Sequence, residues 1–263
     1  MSLLTIVLAG WLAAALVMVG LWLVQRAHQN AAILDMGWCF SFGLVAIWYA
    51  LAVRGEPTRR ALVAVLAGTW GFRLALHLFF DRIHKKPEDG RYQTIRRQWG
   101  ERAPLYFFLL FQGEAFAIPV LSLPLLVLMQ NPSPTFSPWE LVGVLVWVTA
   151  VGGEWVADRQ LARFRADPLN RGRTCREGLW RYSRHPNYFF EALHWWAYVL
   201  MGVGVPFGWV TLLGPLVMTV ALLKISGLPL AEAQALASRG EDYREYQRTT
   251  SAFIPWFPRQ AGR

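Results

Sequence analysis

The sequence predicts an all-α polytopic membrane protein, and three observations support this class. Hydrophobic residues make up 55% of the 263 positions and charged residues only 16%, whereas a soluble domain carries about a quarter charged residues. The apolar residues are gathered into long blocks of roughly 20, the length that a helix needs to cross a bilayer. No Gly-rich nucleotide-binding motif follows a predicted strand, which excludes a Rossmann domain.

Seven apolar blocks are long enough, or nearly so, to span a membrane as helices. The last two are short, and the turn between them at Gly204-Val-Pro-Phe-Gly208 predicts a tight hairpin. We treat the chain as a single membrane-embedded domain, with substrate-pocket helices in residues 1–130 and a cofactor-binding half in residues 139–257. The predicted spans cover residues 3–24, 33–53, 61–80, 105–129, 139–157, 188–205 and 207–223.

The basic residues predict the orientation of these spans. Of the 26 Lys and Arg residues, 22 lie in the connections after the first, third and fifth spans and in the C-terminal tail. Cytoplasmic loops carry such an excess, so the N-terminus is expected outside and the C-terminus in the cytoplasm. The net charge of +9 is then explained by topology and attraction to anionic lipids. It predicts no nucleic-acid partner, and Cys39 and Cys175 give no metal-ligand spacing.

Polar residues within the first four spans predict a shared internal pocket. Asp35 lies at the start of the second span, Arg73 and His77 share one face of the third, and Gln112 and Glu114 interrupt the fourth. Polar groups at membrane depth are tolerated where they line a cavity or pair with one another. Two structural alternatives stay open: the acid of the second span can simply cap its helix, and the arginine of the third can simply neutralise a carboxylate.

The stretch from Gly178 to Glu191, Gly-Leu-Trp-Arg-Tyr-Ser-Arg-His-Pro-Asn-Tyr-Phe-Phe-Glu, carries most of the predicted chemistry. Its arginines can be ordinary cytoplasmic anchors of a membrane helix. Asn187, Glu191 and His194, however, follow the proline at spacings of four and three, on one helix face. This arrangement favours an anion and ribose clamp, with guanidinium groups for phosphates and an amide and a carboxylate for hydroxyl groups.

The end of this stretch, Pro186-Asn-Tyr-Phe-Phe-Glu191, resembles the C-terminal signature of the steroid 5α-reductase family, Pro-Asn-Tyr-Phe-Gly-Glu. Phe190 stands where that family has Gly, and the resemblance covers residues 158–256 well and the N-terminal half weakly. It implies an NADPH-dependent oxidoreductase that reduces the C=C bond of an enone lipid such as a 3-oxo-Δ4-steroid. A more distant similarity to the Arg-His-Pro-x-Tyr run of isoprenylcysteine and phospholipid methyltransferases gives the alternative, an S-adenosylmethionine-dependent methyltransferase. A non-catalytic lipid or sterol binder is the third possibility.

The resemblance also implies roles for individual residues. Asp35 corresponds approximately to an acid at the substrate carbonyl, whose tyrosine partner in the family falls near Trp70; His77 and Glu114 are further catalytic candidates. Glu88 and Asp89 are supporting candidates. The predicted cofactor-binding residues are Arg91, Tyr92, Asp158, Arg165, Arg176, Trp180, Tyr182, Ser183, Arg184, His185, Asn187, Tyr188, Glu191 and Tyr243. The predicted substrate-binding residues are Trp38, Trp70, Arg73 and Gln112. The expected partners are an apolar substrate entering from the bilayer and membrane lipids, without a metal, and the expected location is a bacterial inner membrane.

Overall fold

The computed structural model describes residues 1–225 and 227–259, and all regular structure in this part of the chain is helical. Two π-helical turns, at Phe79–Ile83 and Ala221–Ile225, and 3₁₀ turns, including Gly178–Arg181 and Gly208–Leu212, join some of the helices. The α-helices are α1 (Leu3–His28), α2 (Ile33–Ala52), α3 (Pro57–Leu78), α4 (Gly90–Trp99), α5 (Ala103–Met129), α6 (Pro138–Ala166), α7 (Pro186–Met201), α8 (Leu213–Val220), α9 (Leu228–Arg239) and α10 (Glu241–Thr249).

Six helical segments of the described residues are long and apolar enough to cross a membrane, so the protein is an integral membrane protein. The prediction of seven spans is therefore matched only in part. The sixth predicted span, at residues 188–205, corresponds to α7, which has only 16 residues. At about 1.5 Å per residue such a helix is roughly 24 Å long, shorter than the ~30 Å hydrocarbon core. The six segments are Leu3–His28, Ile33–Ala52, Pro57–Ile83, Gly90–Met129, Pro138–Ala166 and Gly208–Arg239.

The chain divides into two compact units, each of which is described by itself. Unit 1 consists of Met1–Trp139 and Met201–Gly214, and unit 2 of Glu140–Leu200 and Pro215–Arg263. In unit 1, α2 packs against α1, α3 and α5. The α2–α3 contact is close because it has a glycine on each helix: a Cβ at Gly71 would lie 2.7 Å from the carbonyl oxygen of Cys39, and one at Gly43 would lie 2.8 Å from the ring of Phe72.

A buried arginine fixes the end of unit 1 at which α3 begins. The side chain of Arg59 is almost fully buried and donates to the carbonyl oxygens of Asn131, Ser133 and Thr135, which follow α5. The carboxylate of Glu56 accepts from the backbone N–H of Arg59 at 2.6 Å and caps the helix. These contacts are those of a structural residue.

Unit 2 is held together by its C-terminal segment and by a close contact between α6 and α7. A Cβ at Gly153 would lie 2.5 Å from the ring of Phe190, so the small residue on α6 makes room for the large one on α7. The C-terminal segment returns to the turn before α7, where the backbone N–H of Trp256 donates to the carbonyl oxygen of Tyr182 at 2.9 Å.

Candidate functional site

The carboxylate of Asp35, in the first turn of α2, is the centre of the polar site in unit 1. Its Oδ1 accepts the hydroxyl of Tyr92 at 2.5 Å. Its Oδ2 accepts Nη1 of Arg82 at 2.8 Å and Nη2 of Arg91 at 3.1 Å. Together with Asp89, these four residues form what we call the Asp35 site.

Local structure brings the partners of Asp35 into place. The side chain of Asp89 caps α4 by accepting the backbone N–H of Arg91 at 2.9 Å, and it also accepts Nε and Nη2 of the same arginine. Burial pushes the pKa of Asp89 upward, but the hydrogen bonds and charge of Arg91 outweigh it and hold this pKa below its ordinary value of 3.8. Arg82 comes from the π-helical turn after α3, the type of irregularity that is frequent at functional sites.

The phenol of Tyr92 lies among apolar side chains. The residue is 7% exposed and belongs to the hydrophobic cluster that includes Phe107 and Phe111 of α5. The guanidinium of Arg91 lies 5.5 Å from the centre of the tyrosine ring, and Glu114 on α5 interacts electrostatically with both the phenol and Asp35. A hydroxyl group held in this way donates in surroundings of low polarity, where a hydrogen bond is stronger than in water.

The aromatic residues predicted to bind substrate form a packed group beside this site. Trp38 stacks on Phe42, with ring centres 5.7 Å apart, and meets Trp70 edge-on at 6.1 Å. Trp70 is fully buried. The tyrosine partner of Asp35 is thus Tyr92, a predicted cofactor residue, and not a residue near Trp70. The other predicted residues of this unit, Arg73, His77 and Gln112, are half-buried on α3 and α5.

A second polar cluster surrounds Glu232 of α9 in unit 2. The glutamate accepts Nε of Arg184 at 2.7 Å and the amide of Gln247 at 2.8 Å; Nε2 of His185 and the hydroxyl of Tyr243 lie 3.3 and 3.4 Å away. We call these five residues the Glu232 cluster. Burial and the neighbouring carboxylate raise the pKa of Tyr243 above its ordinary value, which is already above neutral pH, so its hydroxyl is a donor.

Several other residues of the predicted clamp make contacts within unit 2 that hold its C-terminal half. Trp180 donates its indole N–H to the carbonyl oxygen of Ala157, and Ser183 donates its hydroxyl to that of Phe253. The ring of Tyr182 packs edge-on against Phe257. Tyr188 stacks on His185, with the two rings 5.4 Å apart.

The remaining predicted cofactor residues lie on α6, on α7 and in the connection between them. Asp158 is buried and Arg165 is exposed on the last two turns of α6. Asn187 and Glu191 are half-buried on α7. Nη2 of Arg176 donates to the backbone carbonyl and the carboxylate of Asp242 and to the carboxylate of Glu245.

Three residues of these two clusters were not found from the sequence. Arg82 belongs to a run of basic residues. Nothing in the sequence distinguishes a site residue in this run from the basic residues that set the orientation of the spans in the membrane. Gln247 carries no signal in its surroundings. Glu232, in contrast, is a lone acid in the apolar run Leu228-Pro-Leu-Ala-Glu-Ala, and a carboxylate in such a run predicts a buried partner.

The fold and these clusters define a polytopic helical membrane protein with a polar site in its N-terminal unit. A family model described as "Protein of unknown function (DUF1295)" matches residues 21–250, and the chain belongs to this family. An uncharacterized protein of Schizosaccharomyces pombe is 25% identical to this chain. The match covers 69% of this chain and 60% of that relative, so the chain spans less than two thirds of the relative's length. No solved structure matches.

These comparisons correct one prediction. The sequence signature suggested membership of the steroid 5α-reductase family, and this is wrong: the family that matches is one of unknown function, and its match covers nearly all of the stretch on which the resemblance rested. A short run such as Pro186-Asn-Tyr-Phe-Phe-Glu191 contains too few positions to assign a family. Any function must therefore be argued from the site itself.

Proposed function

We propose that this protein is an NADPH-dependent membrane oxidoreductase that reduces a C=C bond conjugated to a carbonyl group in an apolar substrate, an enone lipid. The observation that carries the proposal is the buried hydroxyl of Tyr92, which is held by Asp35 and lies under the guanidinium of Arg91. A donor in such surroundings can stabilise negative charge that develops on a carbonyl oxygen.

The chemistry assigns a step to each residue of the Asp35 site. When hydride reaches the β-carbon of an enone, an electron pair moves to the carbonyl oxygen, and a proton must follow. The hydroxyl of Tyr92 turns from Asp35 to this oxygen and donates to it. The cation of Arg91 offsets the developing charge, while Arg82 keeps the carboxylate of Asp35 in place. The enol formed in this way returns to the ketone by taking a proton from water at the α-carbon and giving up its hydroxyl proton, which restores the phenol of Tyr92.

Unit 2 supplies the donor set that would hold the cofactor. NADPH, when bound, provides the hydride. Arg165 on α6 is exposed and can meet a phosphate, and Asn187 makes no side-chain hydrogen bond to the residues that the structure describes, so its amide can meet a ribose hydroxyl or the nicotinamide amide. The guanidinium N–H groups of Arg184 instead donate to Glu232 and to backbone carbonyls, so Arg184 holds the fold of unit 2 and is not assigned to the cofactor.

The test compares two tyrosines by single-turnover NADPH oxidation with an enone such as progesterone. We expect Tyr92→Phe to lower the rate by about 10²- to 10⁴-fold, the usual contribution of a positioned proton donor. Tyr106→Phe is the matched control. Tyr106 is half-buried on α5, and its ring packs edge-on against Trp99, a contact that phenylalanine keeps. Full activity of Tyr92→Phe would refute the mechanism. Binding of S-adenosylmethionine without binding of NADPH would replace the proposal with the methyltransferase.

We also propose that the protein resides in a bacterial inner membrane with its N-terminus outside and its C-terminus in the cytoplasm. The excess of Lys and Arg in alternate connections supports this orientation. A reporter that is active only in the periplasm, fused after the last residue, should stay inactive. Strong activity of this fusion would reverse the orientation.

A further inference from the structure

A concave pocket of about 330 Å³ opens on the surface of unit 2. It forms where the C-terminal segment runs back past the turn that precedes α7. Two backbone hydrogen bonds shape it: Trp256 donates to the carbonyl oxygen of Tyr182, and Arg259 to that of Thr249, at 2.9 and 2.8 Å. The pocket is lined by Arg176, Arg181, Thr249, Thr250 and Pro258.

The lining of this pocket carries positive charge and hydroxyl groups. Arg181 is exposed and forms neither a hydrogen bond nor an ion pair with the described residues, so its charge is not compensated there. Arg176 is already paired with Asp242 and Glu245 through Nη2. Thr250 is 7% exposed and adds a hydroxyl group. Guanidinium and hydroxyl groups converging on one pocket are suited to the oxygens of a phosphate.

Exposed apolar side chains precede Pro258 in the C-terminal segment that lines the same pocket. Ile254, Trp256 and Phe257 are 61%, 70% and 76% exposed. Phe257 directly precedes Pro258 of the pocket, and its ring packs on Tyr182, which directly follows Arg181. Exposed tryptophan and phenylalanine beside cationic groups are typical of protein surfaces at the boundary between lipid headgroups and acyl chains.

We propose that this pocket binds the phosphate of an anionic phospholipid, whose glycerol and upper acyl chains contact Trp256 and Phe257. Arg176 and Arg181 follow α6, a helix long and apolar enough to span a membrane, and basic residues after the end of such a helix are expected near the level of the headgroups. A freely diffusing phosphate compound would use the cationic lining but would have no use for the aromatic rim. The proposal does not depend on the proposed reductase activity.

Native mass spectrometry of the full chain in detergent, titrated with phosphatidylglycerol or phosphatidylcholine, tests the proposal. We expect phosphatidylglycerol to bind about ten-fold more tightly than phosphatidylcholine, and Arg181→Gln to remove about ten-fold of this affinity, because a charge-assisted contact is lost. The matched control is Arg248→Gln. It removes the same charge from the nearby helix α10, where Arg248 is exposed and pairs with Glu241, and should change the affinity less than two-fold.

Two further measurements identify the source of the phosphate. The double variant Trp256→Ser, Phe257→Ser should weaken phosphatidylglycerol binding, while inorganic phosphate should compete only weakly with the lipid. Equal losses in Arg181→Gln and Arg248→Gln would show attraction to general surface charge and overturn the pocket. Equal binding of the two lipids would overturn the preference for an anionic headgroup. An unaffected double variant together with full competition by inorganic phosphate would overturn the lipid in favour of a soluble phosphate compound.

Discussion

The Asp35 site and the Glu232 cluster each contain a carboxylate, an arginine and a tyrosine but differ in what their arginines bind. Each has one carboxylate that contacts a guanidinium group and a tyrosine hydroxyl, and the two carboxylate side chains are 24% and 19% exposed. The exposure of the central carboxylate therefore does not distinguish them. Among the residues that the structure describes, the guanidinium of Arg91 donates only to the carboxylates of Asp35 and Asp89, whereas that of Arg184 also donates to the backbone carbonyls of Gln247 and Thr250.

This difference indicates which cluster can rearrange. Side-chain hydrogen bonds around Asp35 can be exchanged for bonds to a substrate while the helices stay where they are. The bonds of Arg184 tie the start of α7 to the end of α10, so breaking them would release the C-terminal segment. A charged cluster in a membrane protein is often assigned a function by default. Here Arg184, which has backbone acceptors, is a structural residue, and the pair of Tyr92 and Asp35 is the better candidate for chemistry.

The largest expected effect is a difference in stability between two arginine variants. Arg184→Gln should lower the free energy of unfolding by about 3–5 kcal/mol, because it leaves two backbone carbonyls without their donor and takes from the half-buried carboxylate of Glu232 the guanidinium that balances its charge. Arg91→Gln should cost about 1–3 kcal/mol, since Arg82 remains beside Asp35. Thermal unfolding in detergent measures both. Equal losses would show that backbone acceptors do not separate the two clusters.

A smaller effect should separate Tyr246 of unit 2 from Tyr92 of the Asp35 site. The hydroxyl of Tyr246 contacts the carbonyl oxygens of Trp180 and Ser183, and burial raises its pKa, so it stays a donor. Tyr246→Phe should therefore cost about 1–3 kcal/mol of stability, the cost of leaving buried acceptors unsatisfied.

The enzymatic activity of Tyr246→Phe and Tyr92→Phe should differ in the opposite direction from their stability. The turnover of folded Tyr246→Phe molecules should be unchanged, whereas Tyr92→Phe should lose turnover with a smaller loss of stability. Melting temperature and the rate per folded molecule are measured on the same preparations. A Tyr246→Phe protein that melts normally but reduces no enone would place the chemistry in unit 2.

Hydropathy predicted most helices but not the contacts between them. The second span was predicted at residues 33–53 and is observed as Ile33–Ala52, since an apolar block of this length has few other ways to satisfy its backbone. Helix α4 was treated as part of a loop. Its cap, Asp89 before Gly90, is an ordinary helix-start signal.

The partners within each site could not be predicted, because they are far apart in the sequence. Asp35 and Tyr92 are separated by 57 positions, and Arg184 and Glu232 by 48. Helical periodicity relates residues within a few turns, and it carries no information over such distances. The family resemblance placed the tyrosine partner of Asp35 near Trp70, which instead packs edge-on against both Trp38 and Phe42.

The smallest expected effect concerns pH and compares a half-buried acid of unit 1, Asp89, with an exposed acid of unit 2, Glu241. The pKa of Asp89 lies below its ordinary value of 3.8, because the contacts with Arg91 outweigh burial. The ionised carboxylate therefore stabilises the fold above about pH 4, and this stabilisation is lost as the pH falls through the lowered pKa. The pKa of Glu241 is also lowered, by hydrogen bonds from Arg244 and Arg248, but this glutamate is on the open surface.

Salt and acid should consequently act differently on two variants. At about pH 6, Asp89→Asn should melt below the parent protein in both low and high salt, because contacts that are mostly buried are weakly screened. Glu241→Gln should melt below the parent only in low salt, since surface ion pairs are screened. As the pH falls below about 4, the parent loses its advantage over Asp89→Asn, and the two melting curves should converge. Melting temperatures over this pH range, with and without about 1 M NaCl, measure both effects. Two outcomes would contradict this prediction: the difference between Asp89→Asn and the parent could vanish in salt at pH 6, or it could persist unchanged at pH 3. Either outcome would show that Asp89 does not stabilise the fold through contacts shielded from solvent, and Asp89 and Glu241 would then not differ in this respect.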